Sequence, residues 1–519
     1  MAPTRTPRLR RPQLLAAAAL AASMLLASCG GDDSAGGTGP KVLNLSMPAP
    51  AVSLDPAAMM TTSMWATTLA YDSLIGLNPK GEMVPALAES WGYVGNENKE
   101  FEIKLRSGVK FSDGTELNAD VVIANLEHYR EEAPQGAKLN NIQTMTAVDP
   151  LTVNIKLAKP QPNLTEYFTP PKGAGAMASG EALKSPDKMA TQSFGAGPYV
   201  LDPASSVAKD TYTYIPNKNY WSPDAIHWDK VVLKVIENPN TVLAALKSKQ
   251  LDLATGDFTT AAAADAAGLE VQTIPRQWFG VTLADREGKL VKALGDVRVR
   301  QALNYAVNRQ KIVDGLLAPY GIVSDQIMMP GQPGFQDKPF YTYDMAKAKQ
   351  LLTDAGYPNG FDLAVTTQNK RGIGLVTQAI VDDWKQIGIK VNLTTDPDQG
   401  TYSPNQVSGK WPVFGLGYGT DGDIHYMTPA VFQPTGKTWN PLGTSDPELD
   451  RMFNEAAANP DESAREGIYK QMVGRLVEQA WFVPVALLPN FFYARDTIQG
   501  LELSPNNQFA AITYVEPAA

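Results

Sequence analysis

Glycine spacing marks the stretch of this chain best fitted to hold another molecule. In WPVFGLGYGTDGDIHYM, Trp411 to Met427, the residues Gly415, Gly417 and Gly419 alternate with larger groups. On a strand this leaves one edge bare, where another backbone can approach closely. Asp421 follows in a glycine-rich turn, either as a solvated turn residue or as a carboxylate offered to a ligand. His425 is one of only three histidines, and the others, His128 and His227, lie in different segments. Imidazole is a common ligand for borderline metals. One histidine does not make a metal site, so a surface or hydrogen-bonded role is the plainer reading of His425.

Catalysis has little to work with. The chain has no G-x-S-x-G, no H-E-x-x-H and no P-loop. Its only cysteine, Cys29, sits near the start and leaves no thiol nucleophile in the body. The 54 acidic residues leave a glycosidase-like carboxylate pair open by composition, yet no spacing supports one. The expectation is therefore a binding protein, not an enzyme, with no cofactor and no resident metal.

Strands and helices must position that stretch. Phe101, Ile103 and Leu105 alternate with charged residues, as on a half-buried strand. Ser112-Asp113-Gly114 is turn chemistry, and Asn118 reads as the N-cap of a helix bearing Val122, Leu126 and Tyr129 on one face. Thr152–Leu157 alternates again, and Pro170–Ser185 reads as loop. Strand Val231–Ile236, helix Thr241–Lys247 and strand Leu251–Ala254 predict a parallel α/β unit. Asp296–Leu317 reads as helical, with Val299, Leu303, Ala306 and Val307 on one face. A helix over Asp344–Ala355 precedes a second unit, with strand Phe361–Thr366, helix Leu375–Gln386 and strand Ile389–Leu393.

The chain of 519 residues is too long for one core, and 44% hydrophobic with 19% charged residues describes a globular body. Formal charge is −9, and the four arginines of the first 28 residues have no acid among them, which leaves the remainder at −13. An acidic body without a basic stripe argues against nucleic acid. Met1–Arg11 is a basic lead, and Leu14–Leu26 is an apolar run suited to a signal peptide and short of the ~20 residues that span a bilayer. Leu26-Ala27-Ser28-Cys29 resembles a bacterial lipobox, which implies a diacylglyceryl group on Cys29. Gly30–Pro40 then reads as a flexible tether.

The wording of the strand, turn and helix is more specific than their chemistry. The run LAESW…FEIKLRSGVKFSDGTELNADVV, within Ala86–Val122, resembles the signature of the family 5 extracellular solute-binding proteins, the oligopeptide/dipeptide-binding lipoproteins of bacterial ABC importers. Ser53–Ala57, Ala70–Leu74, Gly195–Tyr199, Pro216–Trp221 and the RVRQAL, KAKQLL and IGIKV blocks extend the likeness from about Lys41 to about Leu501. The resemblance implies an α/β, periplasmic-binding-protein-like fold of type II, with two hinged lobes and an extra subdomain. Lobe I would take residues 41–79, 194–273 and 488–519, the extra subdomain 80–193 and lobe II 274–487, after a signal peptide over 1–28 and a tether over 29–40.

Function is implied in the same way. Peptide-binding relatives hold the ligand as an added strand and place an aspartate after the glycine strand to pair with its α-ammonium; Asp421 has that position, with Gly417, Gly419 and Tyr418 beside it, Tyr418 standing where Trp is usual. Trp278, Tyr402, Trp411 and Trp439 fall in regions flanking the cleft, and each can equally belong to a core. Arg371 is a candidate for the ligand carboxylate. Nickel-importing relatives carry a histidine where His425 stands. The expected protein is an extracytoplasmic, lipid-anchored monomer that passes short peptides to the permease and ATPase subunits of an importer. A different nutrient, such as a metal chelate or a sugar, stays open, as does a surface peptide sensor or adhesion lipoprotein without transport.

Overall fold

Alternation of apolar and polar residues builds the first core. Phe101, Ile103 and Leu105 are buried on strand Glu100–Leu105. It lies inside a four-stranded antiparallel sheet ordered Ala88–Tyr93, Glu100–Leu105, Thr152–Leu157 and Ile142–Asp149. Gly114 turns the chain with φ +86°. The Asn118 side chain then accepts the Val121 N–H at 3.0 Å and starts helix Ala119–Glu132. Val122, Leu126 and Tyr129 of that helix enter the same core, which also draws in Ala57, Leu74, Ile75 and Ala196. The computed structural model describes residues 39–59, 64–133, 136–368, 372–397, 399–419, 424–504 and 512–519. The expected signal peptide, Cys29 and nearly all of the tether lie outside the described residues.

A sheet of eleven strands organises the rest. Its path runs Lys390–Asp396, Asp362–Gln368, Val413–Gly419, Glu270–Leu283, Phe482–Ala494, Leu253–Gly256, Val42–Met47, Lys230–Val235, Thr211–Pro216 and Tyr199–Leu201, with Ile322–Val323 beside Phe482–Ala494. The first α/β unit is wider than a simple crossover. Lys230–Val235 and Leu253–Gly256 both run parallel to Val42–Met47, which lies between them. In the second unit, Asp362–Gln368 and Lys390–Asp396 are direct parallel neighbours.

Two long antiparallel strands, Glu270–Leu283 and Phe482–Ala494, pass from one set of cores to the other. Ile274, Phe492 and Ala494 pack with Leu43, Leu45 and Leu253. Farther along, Phe279, Val281 and Val483 pack with Val299, Leu303, Val365 and Trp384. Trp278 and Phe482 face a separate core with Phe414, Trp439 and Met472. These shared strands make a hinge between lobes that each keep their own interior.

Two expectations change in detail. The helical stretch from Asp296 breaks into Val297–Tyr305 and Arg309–Leu316. Asn308 causes the break, because its side chain accepts the Lys311 N–H at 3.0 Å while its own N–H donates to Asp383 Oδ2 at 2.9 Å. The expected loop Pro170–Ser185 contains a one-turn helix, Gly180–Leu183, capped by Ser179. Among the described residues no helix is long and apolar enough to cross a membrane.

Candidate functional site

The crossing strands slip register where they leave the core of Leu43, Leu45 and Leu253. Pro275 faces Pro489, but Gln277 faces Leu488, so Arg276 is the extra residue of a β-bulge. Prolines on both sides suit such a place, since neither has an N–H to lose from the ladder. A bulge re-aims a side chain. Here Arg276 lines a cavity of about 640 Å³, floored by the crossing strands and walled by Trp65, Phe258, Phe279 and Phe491. Small-molecule sites commonly occupy ~300–1,000 Å³. A second hollow, a shallow groove of about 960 Å³, runs along the outer strands Asp362–Ala364 and Lys390–Asn392 and does not involve the crossing strands.

The cavity wall is held by polar contacts around Asp257. Asp257 takes the Thr259 N–H at 2.9 Å and its hydroxyl at 2.6 Å on one carboxylate oxygen. The Tyr493 hydroxyl donates to the Asp257 carbonyl at 2.6 Å, and burial pushes its pKa up, so it stays neutral. Phe258 then lies near Gly372, the residue that opens helix Ile373–Lys385.

Strand Val413–Gly419 pairs along its whole length with Glu270–Leu283 on one side. On the other side its pairing with Asp362–Gln368 stops at Thr366 opposite Phe414. Pro412 accepts the Ala284 N–H at 2.8 Å, so by the two-residue period the backbone groups of Gly415, Gly417 and Gly419 point to the opposite edge. There the Tyr402 hydroxyl donates to the Gly415 carbonyl. Beyond it, the Gly417–Gly419 edge has no strand partner among the described residues.

The face of the strand over Gly415 and Gly417 is occupied by the protein's own groups. A Cβ on Gly415 would stand 2.3 Å from Thr377 Oγ1, and one on Gly417 would stand 2.7 Å from Phe279 and 2.9 Å from Ile373. These glycines admit the helix Ile373–Lys385 onto the sheet, so what comes close to that face is the protein's own helix. The open feature is the hydrogen-bonding edge.

The other candidates separate. Trp278 and Trp439 are fully buried and meet edge-to-face at 5.6 Å and 89°, so the structure places them in a core, away from the cavity wall. Tyr402 is fully buried and serves the sheet through Gly415. Trp411 is half-buried just ahead of the glycine strand. Tyr418 sits opposite Trp278 in the ladder, and its side chain lies outside the described residues, as do Asp421 and Arg371. His425 is buried and stacked on Phe453 at 4.2 Å, and burial, aided by the Arg465 charge, lowers its pKa to about 4. Among the described residues no three His, Cys, Asp or Glu side chains gather as a metal site would need. The sequence reading passed over Arg276 and Phe258. The available signal was a cation inside the apolar run TIPRQWFGVTL, where a central strand has no ordinary use for one.

Known proteins resemble this chain in sequence and in fold. The glutathione-binding protein GsiB of Shigella dysenteriae serotype 1 is 26% identical over 462 residues, covering 85% of this chain and 87% of that protein. HbpA2 from Haemophilus parasuis superposes with a TM-score of 0.80 at 22% identity, covering 92% of this chain and all of the other. The periplasmic binding protein DppA from Helicobacter pylori, solved with the peptide STSA, gives a TM-score of 0.75 at 22% identity over 92% of this chain and 98% of its own. Residues 82–439 match the bacterial extracellular solute-binding proteins, family 5 middle region. A two-lobed α/β body, a cavity at the crossing strands and a match over most of the chain place this protein in the family 5 extracellular solute-binding proteins, whose work is binding and not catalysis.

Proposed function

We propose that the protein captures short peptides in the cavity at the crossing strands and delivers them to the permease of an ABC importer. The observation that carries this reading is a cavity at the crossing strands beside a strand whose outer edge has no strand partner among the described residues. Gln277 links the two, since it lines the cavity and stands opposite Gly419 in the ladder. An extended peptide can take the Gly417–Gly419 edge as a neighbouring strand, gaining main-chain hydrogen bonds that read no side chain. Asp421 follows two residues after Gly419 and would pair with the ligand's ammonium. The glutathione-binding relative supports a small peptide as the solute.

Closure of the lobes about the crossing strands would shift the receptor toward the form the permease recognises. We take lobe I as 41–79, 194–273 and 488–519, lobe II as 274–487 and the extra subdomain as 80–193. A lipid on Cys29 would moor a monomer outside the cell membrane. The test is mass spectrometry of the solute released by the purified full chain, followed by calorimetry with that solute. Intact short peptides are the expected result. Recovery of a sugar or a metal chelate, with no peptide binding, would refute the peptide assignment.

A further inference from the structure

A junction between the two lobes lies outside the crossing strands. Asn98, in the turn ahead of strand Glu100–Leu105, is 3% exposed, and its side-chain amide donates to the carbonyls of Ala457 and Asn459 at 3.0 and 3.1 Å. Each partner is anchored in a different core. The four-stranded sheet that carries Asn98 shares its core with Leu74, Ile75 and Ala196 of lobe I. It is also bonded there, from the Ala88 N–H to the Leu74 carbonyl at 2.8 Å and from the Ser112 N–H to the Gly195 carbonyl at 2.9 Å. Helix Pro447–Ala458 belongs to lobe II, where Leu449, Met452 and Ala456 pack with Trp278, Phe414 and Trp439. Carbonyls at the end of a helix have no partner within it. Arg465, from the same lobe, holds the Asn459 and Pro460 carbonyls at 3.0 and 2.9 Å, so that end is positioned without help from Asn98. Asn98 is positioned too. Its backbone is left-handed at φ +51°, which asparagine tolerates, and its carbonyl accepts the Gln161 N–H at 3.0 Å.

We propose that Asn98 is a latch between the lobes, through which the extra subdomain sets how far the protein without solute rests toward its closed form. The proposal rests on the two-lobed hinge and is independent of which solute is carried. Because the subdomain is built onto lobe I, opening about the crossing strands draws Asn98 away from the end of helix Pro447–Ala458. Both hydrogen bonds are then exchanged for bonds to water, so the net gain from closing is modest and the latch releases readily. A solute that binds the closed form binds more tightly when more of that form is already present. The latch therefore raises affinity without touching the solute, and leaves specificity to the cavity.

The experiment is double electron–electron resonance on the full chain without solute, with Cys29→Ser so that spin labels sit only where they are placed. One label pair, on Lys156→Cys and Ser463→Cys, spans the junction, and another, on Glu237→Cys and Leu375→Cys, reads the cleft; all four positions are exposed. With Asn98 in place the junction pair should give one short distance. Asn98→Gly keeps the left-handed backbone and should add a longer distance in both pairs, the ratio of closed to open falling about tenfold for two ordinary hydrogen bonds. Asn98→Ser, whose side chain is one bond shorter and reaches neither carbonyl, should do the same, and it decides the matter if the glycine variant does not fold. A long junction distance with Asn98 in place would overturn the proposal, as would distances unchanged in the variants. Junction distances that lengthen while the cleft pair stays fixed would also overturn it, since a turn would then have come loose without the lobes parting. None of these results bears on the peptide reading, which recovery of the bound solute decides.

Discussion

Two glycines on one strand face should respond oppositely to the same substitution. A Cβ on Gly417 would lie 2.7 Å from Phe279 Cε1 and 2.9 Å from both Cδ1 and Cγ1 of Ile373. Phe279 and Ile373 are buried, and Phe279 cannot yield without disturbing the cavity. Overpacking of this kind costs ~1–3 kcal/mol. Against it stands the ~0.4–1 kcal/mol that alanine gains over glycine through the unfolded chain. Gly417→Ala should therefore lose about 1–2 kcal/mol net. At Gly419 the nearest atom, Arg276 Nε, would be 3.4 Å away, which is ordinary contact. Gly419→Ala should stay within ~0.5 kcal/mol of wild type or gain slightly. Urea denaturation of both variants without ligand measures the difference. Equal effects, or an unharmed Gly417→Ala, would refute the idea that these glycines exist to admit the helix Ile373–Lys385.

Other contacts make equally definite predictions. Asn98, at φ +51°, donates to the carbonyls of Ala457 and Asn459 at 3.0 and 3.1 Å, tying the four-stranded sheet to the end of helix Pro447–Ala458. Asn98→Gly keeps the backbone allowed and should cost ~1–3 kcal/mol in denaturant melts, and Asn98→Ala should cost more. Tyr402→Phe leaves the buried Gly415 carbonyl without its hydroxyl donor and should cost ~1–3 kcal/mol by the same measurement, whereas an unchanged melt would show that the contact carries nothing. His128 Nε2 lies 2.8 Å from Asp55, and the hydrogen bond to that carboxylate raises its pKa above the ordinary 6.5. Protonation therefore stabilises the fold fully below 6.5, and the benefit fades as pH rises through the elevated folded value. The stability gap between wild type and His128→Gln should be widest in mild acid and narrow above neutrality; a gap independent of pH would refute this assignment.

Local chemistry was legible from the sequence wherever a single segment decides its own structure. Period-two burial at Phe101, Ile103 and Leu105 and the cap at Asn118 needed nothing beyond their neighbours in the chain. The parallel unit around Asp362–Gln368 and Lys390–Asp396 followed from strand and helix periods in the same way. What failed depends on contacts between segments. Glycine spacing marked Val413–Gly419 as special, but whether a helix or a ligand fills the space is decided by Thr377 and Ile373 on another element. A tryptophan reads the same in a core as in a cleft wall, so Trp278 and Trp439 could not be assigned until their mutual packing was seen. Arg276 went unnoticed because a bulge is a property of two strands, and Pro489 lies far along the chain from Pro275. The break at Asn308 escaped a reading based on apolar positions, since Val299, Leu303, Ala306 and Val307 are buried before it and Ile312 and Val313 after it.

A crystal structure of the full chain loaded with the solute recovered from it tests the central claim most directly. Density for that solute is predicted at the crossing strands, between Phe258, Arg276 and Phe491, with its main chain along the Gly417–Gly419 edge. Density instead in the outer groove beside Asp362 and Lys390, with the crossing-strand cavity filled only by water, would contradict it.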